Sequence, residues 1–206
     1  MVSKIMLRLS SLPPVTTTLV VVNILIFVYG TLSNTQNAII SQYGFVPNGL
    51  FKDGYIGDGI VRMFTSMFVH ANISHVGFNM FALAYMGGFA ERSIGKQKYI
   101  ALYLLAGLGG ALFDGVISSF ALGNGDSILI GASGAISGIM GISAAMGDMR
   151  GYYWFAIQVL FVFIGSFASL SIAFAAHVGG FITGLGMTKL LIEVERRKRN
   201  PYRGLT

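Results

Sequence analysis

The feature that most limits how this chain can fold is a run of 38 residues, from Gly151 to Thr188, without a single Asp, Glu, Lys or Arg. As one α-helix it would be about 57 Å long, at about 1.5 Å per residue. The hydrocarbon core of a bilayer is only about 30 Å thick. The run therefore predicts two spans joined by a short turn, expected from Gly165 to Ser171, where glycine and serine interrupt the large apolar residues.

The rest of the chain is apolar in the same way. Of its 206 residues, 54% are hydrophobic and 11% are charged, whereas soluble domains carry about 25% charged residues. We therefore expect a single all-α membrane domain over residues 1–206. Six apolar stretches predict a bundle of six transmembrane helices, near 15–32, 67–90, 99–118, 128–147, 152–169 and 170–190.

Lys and Arg are distributed unevenly between these spans. With the N-terminus in the cytoplasm, 12 of them lie inside and only two, Lys52 and Arg62, lie outside. Because basic residues concentrate in cytoplasmic loops, both termini are predicted to be cytoplasmic in a multi-pass protein of the plasma membrane. The predicted segments are a short N-terminal tail (1–14), an outer loop (33–66) and a basic tail (193–206).

The two ends of the chain allow further expectations. The first span lacks a small-x-small cleavage motif, so we interpret it as a retained helix and not as a removed signal peptide. The basic tail marks the cytoplasmic end of the last span, and it is also where anionic membrane lipid would bind.

Polar residues inside the spans point to a site. Membrane segments retain such residues when they are paired or functional. The predicted second, fourth and sixth spans all run from outside to inside, and each carries polar residues early in its length. Counted along the spans at the helical rise, Ser133, His177, His75 and Asn79 fall at similar depth near the outer face.

Small residues predict how these spans meet. Gly134 and Gly138 form one stripe of spacing four, and Gly180 and Gly184 form another. Such stripes allow two helix backbones to approach closely. The fourth and sixth spans are therefore expected to pack together and to bring Ser133 close to His177.

A serine and a histidine in contact suggest nucleophilic catalysis, because the imidazole accepts the proton that otherwise keeps the hydroxyl a weak nucleophile. Asn79, His75 and backbone N–H groups near Ser133 are candidate donors to an oxyanion. The chain has no Cys and no His-Glu-x-x-His sequence. We therefore expect no metal, no cofactor and no nucleic-acid partner.

Three blocks of the sequence together resemble the rhomboid intramembrane serine proteases. They are His70-x4-His75-x3-Asn79, then Gly131-Ala132-Ser133-Gly134, then Ala176-His177 followed by Gly180 and Gly184. The resemblance implies that Ser133 is the nucleophile and His177 the general base of a dyad. It further implies that His75, Asn79 and the Ser133 N–H form the oxyanion hole, with Gly131 beside it.

The same resemblance implies that Arg62 anchors a partly embedded outer loop, and that the substrates are single-span membrane proteins cut near the outer face. Two positions depart from the family pattern. Val61 stands where the family has a Trp before the Arg, and Ser137 stands where bacterial members have a Tyr stacked on the catalytic His. These departures concern the loop anchor and the packing around His177.

Other functions remain open at this stage. A transporter or channel would also place polar residues at one depth, and a rhomboid-like binding protein without activity would retain the fold. Gly123-Asn124-Gly125-Asp126 matches one motif of the intramembrane aspartyl proteases, but the chain lacks the Tyr-Asp partner motif. We expect no third catalytic residue, because none of the three candidate aspartates is well placed: Asp114, Asp126 and Asp148. The sequence therefore predicts a Ser–His dyad.

Overall fold

The computed structural model describes residues 12–167 and 174–199, and in this part of the chain the predicted all-helical class is confirmed. The described residues form nine α-helices: α1 (Pro14–Leu32), α2 (Gln36–Tyr43), α3 (Pro47–Phe51), α4 (Ile56–Thr65), α5 (Ile73–Ile94), α6 (Lys96–Val116), α7 (Ser133–Ala145), α8 (Met149–Phe167) and α9 (Phe174–Arg199). A 3₁₀ turn, Ser66–Phe68, precedes α5, and a π-helical turn, Ile117–Leu122, extends α6.

Three helices are long and apolar enough to cross a bilayer. They are α1, α9, and α6 together with its π-helical turn. Helix α7 is apolar but has only 13 residues, which is about 20 Å of helix. It is therefore shorter than the hydrocarbon core, which is about 30 Å thick.

The predicted start of the fourth span was wrong. We expected a helix from residue 128 and Ser133 about five residues inside it, but Ser133 is the first residue of α7. Gly131 has a φ of +111°, which ends any regular helix before this point. Helix α9 is described only from Phe174, so the position of His177 within its span stays a prediction. The depth counted for Ser133 along the predicted fourth span therefore does not hold.

The other helix boundaries differ less from the predicted ones. Helix α5 begins at Ile73, so His70 lies in the turn before it, and Asn72 caps the helix by accepting from the His75 N–H. Helix α8 continues through Gly165 to Phe167, whereas we expected a turn there. The remainder of that predicted turn, together with residues 1–11 and 200–206 of the two tails, lies outside the described residues.

Helix α7 is the centre of the bundle. It packs against α9, α6, α8 and α5, and every residue from Gly134 to Ala144 is buried. Most of these residues are Gly, Ala, Ser or Ile, so neighbouring backbones can approach closely. The short helix is thus surrounded by longer ones, and its position fixes the position of Ser133 at its N-terminus.

The two glycine stripes face each other across α7 and α9. A Cβ added to Gly180 would overlap the carbonyl oxygen of Gly134, and one added to Gly184 would lie 2.7 Å from the carbonyl carbon of Gly138. A Cβ on Gly134 would lie 3.4 Å from the nearest atom, the Ala176 oxygen. Side chains are therefore excluded by backbone atoms at the two α9 glycines, while Gly134 has room for a methyl group.

Glu91 holds the start of α1 against α5. Its buried carboxylate accepts from the backbone N–H of Val15 at 3.0 Å, the N–H of Thr16 at 2.7 Å and the Thr16 hydroxyl at 2.8 Å. The first N–H groups of a helix have no acceptor within the helix. Glu91 satisfies two of them.

The segment from residue 33 to 66 contains three short helices, α2 to α4. Arg62 joins them: its Nη1 donates to the Ser41 oxygen at 2.7 Å and to the Gly44 oxygen at 3.3 Å, while its Nε bonds Asp58 at 2.6 Å. The neighbouring Val61 is 59% exposed and takes no part in this contact. Arg62 therefore links the last helix of this segment to the first.

Candidate active site

Ser133 lies at the N-terminus of α7, and its side chain is half-buried. The first N–H groups of a helix have no intrahelical acceptor, and the helix dipole makes this end partially positive. The Ser133 backbone N–H is therefore available to an oxyanion formed next to its own hydroxyl group.

His177 lies in the first turn of α9, immediately after Ala176, whose oxygen faces Gly134. Gly180, three residues further on, contacts the Gly134 backbone directly. His177 and Ser133 thus sit on helices in backbone contact, each one residue from that contact. Nδ1 of His177 is buried and has no hydrogen-bond partner among the described residues.

Ser133 and His177 line the same cavity, which has a volume of about 810 Å³. No hydrogen bond joins the Ser133 hydroxyl to the ring among the described contacts. Such bonds are often long in enzymes without substrate and shorten when substrate binds. The cavity is also lined by residues from α5, α6 and α8, including His75, Asn79, Asp114 and Trp154.

His75 directs its ring towards the segment before Ser133. Its Nδ1 accepts from the Ala71 N–H at 3.4 Å, so the neutral ring carries its proton on Nε2. Nε2 would lie 2.5 Å from a Cβ on Gly131. The Nε2–H is therefore a donor close to the N-terminus of α7.

Asn79 lies one turn further along α5 and is 7% exposed. Its Nδ2 donates to the His75 oxygen at 2.8 Å, and its Oδ1 has no partner among the described residues. An amide nitrogen carries two protons, so one N–H remains for a further acceptor. His75 and Asn79 thus bring two N–H donors to the cavity wall formed by α5.

Gly131 is held in place from two sides. Its N–H donates to the Ser66 oxygen at 2.9 Å, and its φ of +111° is one that residues with a Cβ rarely adopt. A Cβ here would also collide with the His75 ring. Both conformation and space therefore require glycine.

His70 is a member of the site to which the sequence analysis gave no role. It is 1% exposed, its ring centroid lies 4.9 Å from that of His75, and its Nε2 accepts from the Ala132 N–H at 3.5 Å. Its backbone oxygen accepts from Gln36 at 2.5 Å. His70 therefore packs between His75 and the start of α7.

A second set of contacts joins the segment 33–66 to the chain before Ser133. Phe45 and Leu129 exchange two backbone hydrogen bonds, of 3.0 and 2.8 Å. Asn48 donates from Nδ2 to Asp126 at 2.8 Å. The irregular segment that leads into α7 is thus supported by contacts with residues 33–66.

Ser137, where the resemblance leads us to expect a Tyr, is fully buried in α7. Trp154 of α8 lines the cavity. The described residues contain no group of three or more His, Asp or Glu able to hold a metal ion.

Comparison with known proteins identifies relatives of this chain. Residues 58–194 match the model of the Rhomboid domain family. The chain is 34% identical over 145 residues to rhomboid protease AarA of Providencia stuartii, covering 63% of this chain and 48% of that protein. It is 29% identical over 167 residues to rhomboid protease GluP of Bacillus subtilis, covering 78% of this chain and 30% of that protein.

A third relative is rhomboid protease GlpG of Salmonella paratyphi A. The two are 28% identical over 132 residues, which cover 61% of this chain and 46% of that protein. The chain thus spans less than half the length of each of these three relatives.

Proposed function

This chain belongs to the rhomboid family, and from that premise we propose that it is an intramembrane serine protease with Ser133 as nucleophile and His177 as general base. The main support for this proposal is the direct backbone contact between α7 and α9. This contact places a serine at a helix N-terminus and a histidine on the wall of one cavity.

The proposed reaction follows from these positions. His177 accepts the proton of the Ser133 hydroxyl as the oxygen attacks the carbonyl carbon of the scissile peptide bond. The oxyanion that forms is held by the Ser133 N–H, by Nε2–H of His75 and by the free N–H of Asn79. His177 then protonates the leaving amine, and water hydrolyses the acyl-enzyme with His177 again as base.

A serine-directed fluorophosphonate tests the proposal. The detergent-solubilised protein should become covalently labelled, because the reagent is attacked by an activated serine and mimics the tetrahedral intermediate. Ser133→Ala should remain unlabelled on the same gel. An unlabelled native protein, or equal labelling of Ser133→Ala, would favour a transporter, a channel or an inactive binding protein instead.

The proposed substrates are single-span membrane proteins, cut near the outer face where their helix can unwind. Two of the helices that line the cavity, α6 and α9, are long and apolar enough to cross a bilayer. No metal or cofactor takes part in the proposed reaction. A labelled protein that left a reconstituted single-span reporter intact would contradict this substrate class.

The family and the apolar helices make the chain a multi-pass membrane protein. We further propose six spans in the plasma membrane, with both termini in the cytoplasm. The distribution of 12 basic residues inside and two outside supports this orientation. The basic residues at the end of α9 would then face anionic lipid of the inner leaflet.

Single cysteines should report this orientation, because the chain contains no Cys. Asp53 and Gln97 are both exposed and lie on opposite predicted sides. In intact cells, Asp53→Cys should react with a membrane-impermeant maleimide, and Gln97→Cys should react only after the membrane is opened. The opposite pattern would place Ser133 near the cytoplasmic face and rule out cleavage at the outer side.

A further inference from the structure

Asp114 of α6 is a buried carboxylate that the proposed reaction does not use. It is 7% exposed and lines the cavity together with Ser133 and His177. A buried carboxyl group is costly unless hydrogen-bond donors compensate for its lost hydration. Its partners therefore indicate what it does.

Two donors face Asp114. The Ser118 hydroxyl, one turn along the same helix, donates at 3.4 Å. The backbone N–H of Ala176, in α9, is the other. The two helices touch here, because a Cβ on Gly110, one turn before Asp114, would lie 2.6 Å from the Ala176 oxygen.

Asp114 lies beside the first described turn of α9, because Phe174 and Ala175 line the same cavity. A side-chain oxygen next to backbone N–H groups near a helix N-terminus is a favourable acceptor for them. The N–H in question belongs to Ala176, the residue immediately before His177.

We propose that Asp114 is a positioning residue, which fixes the first turn of α9 and thereby orients the His177 ring towards Ser133. The inference rests on the proposed function. Asp114 acts through the backbone of α9 and takes no proton in the reaction. Its role therefore requires only a side-chain oxygen that can accept a hydrogen bond from α9.

The test compares the kinetics of variants of the full chain in liposomes that contain a single-span reporter. Asp114→Ala should lower kcat about 10- to 100-fold with KM unchanged, because small displacements of a catalytic group are costly. Asp114→Asn keeps an acceptor oxygen of the same length and should remain within about threefold of the native kcat. Ser119→Ala removes a buried hydroxyl that has no described partner near the same end of α6 and should match the native protein.

Rescue by asparagine separates positioning from mere folding. Native kcat in Asp114→Ala would overturn the inference, and so would equal losses in the alanine and asparagine variants. If Asp114→Ala shows no cooperative melting, Asp114→Ser replaces it, since its hydroxyl is too short to reach α9 and the same loss is expected. A native protein that neither cleaves the reporter nor accepts the fluorophosphonate would instead refute the proposed function.

Discussion

Replacing Ser133 with alanine, or His177 with alanine, is expected to lower the turnover of a single-span reporter by at least about 10³-fold, and combining the two should lower it no further. Neither residue is expected to cleave a peptide bond without the other, because the hydroxyl is a weak nucleophile until the ring accepts its proton. The measurement is the initial rate of cleavage in liposomes, with the melting temperature of each variant recorded beside it.

The matched control is Ser143→Ala. Ser143 lies on the same helix, is fully buried, and its hydroxyl has no partner in the described part of the chain. Its loss should leave turnover unchanged, since no hydrogen bond is broken. Measurable turnover in Ser133→Ala would contradict a Ser133–His177 dyad. So would a double variant whose loss of turnover equals the product of the two single losses.

The second large effect is expected at the oxyanion donors. His75→Ala and Asn79→Ala should each lower kcat about 10²- to 10³-fold, as for the loss of one such donor in other enzymes. Asn79→Asp should behave like the alanine variant, because it keeps the shape of the side chain but loses the N–H. Native turnover in Asn79→Ala would mean that other donors hold the oxyanion.

Gly131 offers an independent way to disturb the same donors. In Gly131→Ala the added Cβ would lie 2.5 Å from Nε2 of His75, so the ring must move and kcat should fall. Gly54→Ala is the matched control: Gly54 also has a positive φ, of +77°, but nothing lies within 4 Å of its added Cβ. Equal losses of activity in both variants would show that backbone strain, and not the position of His75, limits turnover.

The sequence was sufficient for the helical class, and it also yields a set of candidate site residues that remains a prediction. Burying charges in hydrocarbon is so costly that the apolar stretches alone indicate membrane helices. The polar residues within those stretches stand out for the same reason. Gly180 and Gly184 could be identified as packing residues because a spacing of four puts them on one face of a helix.

Counting along the sequence could not establish depth. The predicted depths assume that every span is helical over its full length. Helix α7, however, begins only at Ser133, after Gly131, which has a positive φ and donates its N–H to the Ser66 oxygen. The starting point of a helix depends on its caps and on contacts with distant segments. Here those contacts come from Phe45 and Ser66, which are remote in sequence.

The same limit applies to the partners of individual side chains. Composition and periodicity determined that this chain enters a membrane as helices and that Ser133, His177, His75 and Asn79 are its candidate reactive groups, because transfer free energy and helix geometry act locally. Only the tertiary structure decided that Gly180 meets the Gly134 backbone, that His70 lies beside His75, and that Asp114 faces the first turn of α9. Such contacts depend on how helices far apart in the sequence cross, and their distances of a few ångströms follow from packing that no local pattern encodes.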